Sequence, residues 1–190
     1  MISVAVVLAV VGLVVVWALV TYNRLVQLRV SAQEGAAEVD VQLKRRHDLI
    51  PNLVETVRGY AEHERQTLEQ VTAARGAAMS AQGAPARSQA ESGLSLALGG
   101  LLVLAEAYPQ LRASENFVEL QRELTAAEDR IQAARRFYND EVEALNTKIQ
   151  SVPSNIIAGL ADVSQREFFE LQDRSDAQVP SVSFQAAARL

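Results

Sequence analysis

"FVELQRELTAAEDRIQAARRFYNDEVEALNTKI" (Phe117–Ile149) decides the fold. Phe117, Leu120, Leu124, Ala127, Ile131, Ala134, Tyr138, Val142, Leu145 and Ile149 form one apolar stripe at steps of three and four. That period belongs to one face of a helix packed along a bundle seam, with a single stutter at Tyr138–Val142. Ser114 is an N-cap candidate, Asn116 with Glu119 is a capping-box alternative, and Val152-Pro153 stops the run. A helix of about 37 residues, roughly 55 Å long, needs partners of similar reach.

The flanking sequence supplies them. "LSLALGGLLVLAEAY" (Leu94–Tyr108) precedes it, hydrophobic nearly all round and ended by Pro109. Its unbroken apolar run, Leu96–Ala105, is shorter than a membrane span needs, so it reads as a buried core helix. "SAQGAPARSQAESG" (Ser80–Gly93) reads as a loop, with the third helix beginning as early as Pro85. Nearer the N-terminus, Leu25, Leu28, Ala32, Gly35, Val39 and Leu43 form one helical stripe that is expected to end near His47. Asp48 is then an N-cap, with Pro51 in the first turn of a second helix carrying Leu53 or Val54, Val57, Tyr60, Leu68, Val71 and Ala78. A short helix is expected around Phe168. Four helices on short connections give an all-α, antiparallel up-down four-helix bundle. Residues 23–171 are assigned to it, and 172–190 to a flexible C-terminal tail.

"ISVAVVLAVVGLVVVWALV" (Ile2–Val20) carries no charge. It spans roughly 28 Å as a helix, close to the hydrocarbon thickness of a bilayer. Trp17 and Tyr22 sit where an interfacial aromatic belt belongs. A cleaved signal peptide fits less well, because a basic n-region and a small-x-small cleavage site are missing. Residues 1–22 therefore read as a single transmembrane anchor continuing into the first bundle helix. Arg24 and Arg29 face an uncharged N-terminal side, so the positive-inside rule places the N-terminus outside and the bundle in the cytoplasm.

Composition narrows function. The chain has 190 residues, 49% of them hydrophobic and 5% aromatic, a net charge of −5 and no cysteine. Nucleic acid, which calls for a basic face, is disfavoured, and thiolate metal sites and disulfides are excluded. Di-iron bundles use Glu-x-x-His pairs, but Lys44 and Tyr60 stand three residues before His47 and His63. In "AEHE" (Ala61–Glu64), consecutive helical residues point in different directions, and Thr67 stands where a zincin would need its second histidine. No strained Gly-x-Ser-x-Gly turn or phosphate-cradling glycine loop is present. No catalytic, metal or cofactor residue is assigned. Arg45, Arg46, Arg135 and Arg136 are expected to pair with neighbouring carboxylates at the surface. Asn139 and Asn146, seven apart beside the seam, either fix register or form a polar docking strip.

The chain resembles the LemA family of bacterial membrane proteins. The resemblance lies in "DVQLKRRHDLIPNLVETVRGYAEHE" (Asp40–Glu64), "EAYPQLRASENFVELQ" (Glu106–Gln121), "IQAARRFYNDEV" (Ile131–Val142) and "NTKIQSVPSNIIA" (Asn146–Ala158), with "EFF" (Glu167–Phe169) and "VSF" (Val182–Phe184). Leu145 and Val152 stand where the family usually has aromatics. The resemblance implies an antiparallel helical bundle on one membrane span and no known enzymatic activity. One branch of the family is associated with magnetosome membranes.

These readings favour a non-catalytic, membrane-anchored scaffold or adaptor. Its expected partners are the lipid bilayer, further copies of itself and other membrane proteins. A metal-binding or enzymatic bundle and a membrane-remodelling coat are the alternatives. Up-down geometry brings "HDLIPN" (His47–Asn52) and "AYPQLRASEN" (Ala107–Asn116) to one membrane-distal tip, where His47, Asp48, Asn52, Tyr108, Gln110 and Arg112 would form a docking surface. The opposite, membrane-proximal end would present Ile156, Ile157, Phe168 and Phe169 to the bundle base, a neighbouring subunit or lipid.

Overall fold

The computed structural model describes residues 2–169, which are helical apart from turns and a final extended strap. The predicted tail, 172–190, lies outside the described residues, as does "VSF" at 182–184. Helix α1 (Ile2–Arg58) is unbroken over 57 residues. By length and composition it is apolar enough to cross a membrane, as is α3 (Ala84–Glu106). The two differ in setting. The apolar stretch of α1 is exposed almost throughout, whereas α3 buries Leu94, Leu98, Leu101 and Ala105 in the bundle.

The expected break near His47 is absent. Pro51 lies inside α1, and Asp48 is an exposed mid-helix residue rather than an N-cap. A helix-interior proline orphans the carbonyl four residues earlier, at a cost of about 3 kcal/mol. Here that carbonyl belongs to His47, and Arg75 Nε on α2 (Arg65–Ser80) donates to it at 2.8 Å. A neighbouring helix thus supplies the donor that the proline lacks. Leu53, Val54 and Val57 consequently belong to α1, and the chain turns at Gly59–Glu64. The α2–α3 loop is only residues 81–83, with Gly83 at φ +81°.

After the single turn α4 (Pro109–Arg112), the long seam forms α5 (Glu115–Gln150), with Ser114 at its N-cap position. A cis Val152–Pro153 bond leads into α6 (Ser154–Leu160). No helix forms around Phe168. Asp162 takes the left-handed conformation at φ 49°, and the Val163 amide donates to the Ala158 carbonyl at 3.0 Å. This is a Schellman stop, and its usual apolar contact is supplied by Ala158 and Val163 in the base cluster. Residues 163–169 then climb back along α5 as a strap.

The core has three levels. At the distal end, α1, α2, α3 and the start of α5 enclose Ile50, Leu53, Val57, Leu94, Leu101 and Phe117. In the middle, α1 and α5 pack Ala32, Val39 and Leu43 against Ile131, Tyr138 and Val142, and Phe169 of the strap joins them. At the base, Leu25, Leu28 and Leu145 meet Ala158 and Val163. Gly35 permits a close α1–α5 approach, because a Cβ there would lie 3.1 Å from Tyr138 Cα. The α2–α3 hairpin reaches down only to the level of Asp40, where Arg87 meets Asp40 at 2.6 Å. In the half nearer the apolar end of α1, α1 and α5 therefore pack with α6 and the strap rather than with α2 and α3.

Candidate functional site

The two turns expected to share the tip, 47–52 and 107–116, do not meet there, because α1 runs unbroken through Pro51. Tyr108, Gln110 and Arg112 lie at the α3–α5 corner, and Tyr108 Oη donates to Glu64 Oε1 at 3.4 Å. The other half of the tip is Gly59–Glu64. His47, Asp48 and Asn52 sit about 10–18 Å below it, since α1 continues to Arg58. Asn52 is exposed and its carbonyl accepts from Thr56 Oγ1 at 2.8 Å. Asp48 pairs with Lys44 at 2.6 Å, and that hydrogen bond holds its carboxyl below the usual carboxylate range.

The membrane-proximal set also divides. Ile157 packs on the base cluster, and α6 abuts the end of the apolar stretch, with Ile157, Leu160 and Ala161 beside Val15, Leu19 and Tyr22. Ile156 and Phe168 are exposed. Phe169 is buried, edge-on to Tyr138 with ring centroids 5.5 Å apart and 5.5 Å beneath the Arg135 guanidinium. Asn139 and Asn146 neither fix helix register nor form an open strip. Each clamps the strap's backbone. The Asn139 amide accepts from and donates to Phe169 at 2.9 Å each way, and Asn146 does the same with Arg166 at 2.9 and 2.8 Å.

A buried charge cluster stands between α1, α3 and α5. Arg46 and Glu91 are each 2% exposed. Arg46 Nη2 donates to a Glu91 carboxylate oxygen, and Nη1 donates to Ser95 Oγ at 3.0 Å and Glu128 Oε2 at 2.5 Å. His47 Nε2 lies 2.8 Å from Glu91 Oε1; a carboxylate only accepts, so this nitrogen carries the proton. Burial works to raise the Glu91 carboxyl, but the His47 hydrogen bond and the Arg46 charge outweigh it, and the group sits below its ordinary range. Arg135 is buried next to the cluster, and desolvation, with repulsion from Arg46, lowers its pKa.

This cluster corrects the expectation of surface ion pairs. Arg45 and Arg136 are exposed as supposed, but Arg46 and Arg135 are interior. A signal was available: Arg46 continues the α1 stripe that runs through Val39 and Leu43, standing three residues after Leu43 and four before Ile50, which places it on the core face. Among the described residues no group of three or more acidic or histidine side chains is arranged to hold a metal. Beside the cluster, α3 and α5 leave an open groove of about 650 Å³ lined by Leu98, Leu102, Val118, Leu124 and Thr125, with Arg46 at its lower end.

The LemA family profile matches residues 35–184, and the chain belongs to that family. It is 24% identical over 187 residues to magnetosome protein MamQ 2 of Paramagnetospirillum magneticum, covering 85% of this chain and 69% of that protein. It is 26% identical over 153 residues to protein LemA of Metamycoplasma hominis, covering 80% and 69%.

Proposed function

We propose that this LemA-family chain is a membrane-anchored, non-catalytic scaffold that holds a docking tip at a set distance from the bilayer. The continuity of α1 carries the proposal. Anchor and first bundle helix are one helix, so the tip cannot swivel on a linker. From Tyr22 to Gly59 the helix rises about 55 Å. Tyr108, Gln110 and Arg112 stand at that height on short turns, where binding residues tend to lie. The partners are other membrane proteins and further copies of the chain. An apolar stripe on α3, with Leu96 77% and Val103 69% exposed, supports self-association. The names of the magnetosome relatives support a role on a membrane.

The N-terminus lies outside and the bundle in the cytoplasm, a reading supported by Arg24 and Arg29. Protease added to intact spheroplasts then leaves the bundle whole; its digestion would reverse the orientation. The scaffold reading is tested by crosslinking in native membranes followed by mass spectrometry. Gln110→Ala with Arg112→Ala, both exposed, should insert and fold normally yet lose a crosslinked partner. Unchanged crosslinks in that folded variant refute docking at the tip, and stoichiometric metal on the purified protein would refute a metal-free scaffold.

A further inference from the structure

Helix α6 packs on the apolar end of α1. From Ile2 to Trp17 every residue of α1 is exposed; Ala18 is the first half-buried one and Thr21 the first buried one. A groove of about 300 Å³ lies at that corner, with Val15 and Leu19 on one wall and Ile157, Leu160 and Ala161 on the other. With Ile2–Val20 spanning the hydrocarbon, Ala18 lies about 3 Å and Val15 about 8 Å inside the boundary marked by Val20. The base of the bundle therefore overlaps the spanning run instead of starting above it. The uncovered side of α6 is apolar too. Val152, in the turn before it, Ile156 and Leu160 follow at four-residue intervals and are 80%, 61% and 82% exposed. No charge occurs between Lys148 and Asp162.

We infer that α6 and the turn before it lie in the bilayer interface, with Val152, Ile156 and Leu160 against lipid acyl chains, so that the chain meets the membrane at two places. The inference rests on the membrane-anchored reading. Continuity with the anchor names lipid as the partner, because whatever surrounds Val15 and Leu19 also reaches the Leu160 wall of their common groove. Interfacial helices bury their apolar face about 5–10 Å into the boundary between headgroups and chains, and Val15 lies at that depth. The polar groups of the segment suit such a place, where water is scarce and backbone carbonyls and amides need internal partners. The Ser151 and Ser154 hydroxyls donate to the Thr147 and Lys148 carbonyls at 2.7 Å each. The Ala161 and Val163 amides donate to the Ile157 and Ala158 carbonyls at 3.0 Å each. Through Ala158, α6 is also tied to Leu25, Leu28 and Leu145 of the bundle base. Interfacial contacts set the tilt and rotation of a spanning helix, so α6 fixes the angle at which the bundle stands on the bilayer.

Trp17 is the chain's only tryptophan and lies in the anchor, so it serves as the internal reference. The full chain is reconstituted into phosphatidylcholine vesicles whose acyl chains carry bromine near the headgroup, where it quenches any indole it touches. Trp17→Phe is then combined with Leu160→Trp or, as a control remote from the anchor, with Leu96→Trp on α3. Both sites are largely exposed, so neither change disturbs packing. The Leu160→Trp indole should lose the same fraction of its fluorescence to bromine as Trp17 does, and emit further to the blue than the Leu96→Trp indole, which should lose none. Quenching of Leu160→Trp by aqueous acrylamide and not by bromine overturns the inference, with α6 in water. Shielding from both quenchers also overturns it, by giving the face to a second copy of the chain. A Trp17 that itself escapes bromine refutes the anchored reading, and this inference with it, whereas a quenched Trp17 beside an unquenched Leu160→Trp refutes this inference alone.

Discussion

Replacing Glu91 by Leu should destabilise the bundle more than any surface change. The substitution leaves Arg46, 2% exposed, with one half-exposed carboxylate, Glu128, and leaves His47 Nε2 without its acceptor. Removing one partner of a buried ion pair costs about 3–5 kcal/mol, against total domain stabilities of about 5–15 kcal/mol. For a chain of this size 1 kcal/mol shifts Tm by about 2–4 °C, so Glu91→Leu should lower Tm by about 6–20 °C. Glu91→Gln should cost less, because its amide oxygen still accepts one of the two hydrogen bonds. Adding Arg46→Met to Glu91→Leu should recover much of the loss, since the uncompensated charge leaves with it. The assay is thermal unfolding of the full chain in detergent, followed by circular dichroism at 222 nm. A Glu91→Leu Tm within about 2 °C of wild type would refute the reasoning. So would a double variant less stable than the two single losses added together.

The same carboxylate predicts a pH dependence. Its folded pKa is depressed below the ordinary 4.5, so its contribution is complete above that value and is lost as pH falls through the folded one. The Tm gap between wild type and Glu91→Gln should therefore narrow in acid, and a constant gap would contradict this. Arg75→Met strands the His47 carbonyl and should cost about 1–3 kcal/mol. In a Pro51→Ala background, where a backbone N–H returns, denaturant melts should show the cost largely gone. Gly100→Ala, in open space on α3, should gain up to about 1 kcal/mol from helix propensity, whereas Gly35→Ala must push on the Tyr138 backbone and should gain nothing. Asn139→Ala with Asn146→Ala frees the strap, and trypsin should then cut after Arg166 well before the bundle; unchanged protection would mean the amides do not hold it.

The apolar period of Phe117–Ile149 and the uncharged run Ile2–Val20 made an anchored helical bundle legible from the chain alone. Both are local: a stripe at helical spacing has to be buried, and an uncharged span of bilayer length suits a membrane. The α5 seam lies where its spacing put it.

Pro51 is where sequence reading failed. Locally it looks like the first turn of a new helix, and only Arg75, twenty-four residues on in another helix, makes a helix interior tolerable by taking over the His47 carbonyl. The strap is similar. Phe168 and Phe169 carry no signal for an extended path, which exists because Asn139 and Asn146 offer paired amide contacts to the passing backbone. Arg46 and Glu91, forty-five residues apart, could be buried only because folding brings them together. A lone buried charge is prohibitively costly, and whether a charge has a partner is settled by tertiary packing rather than by its neighbours in sequence.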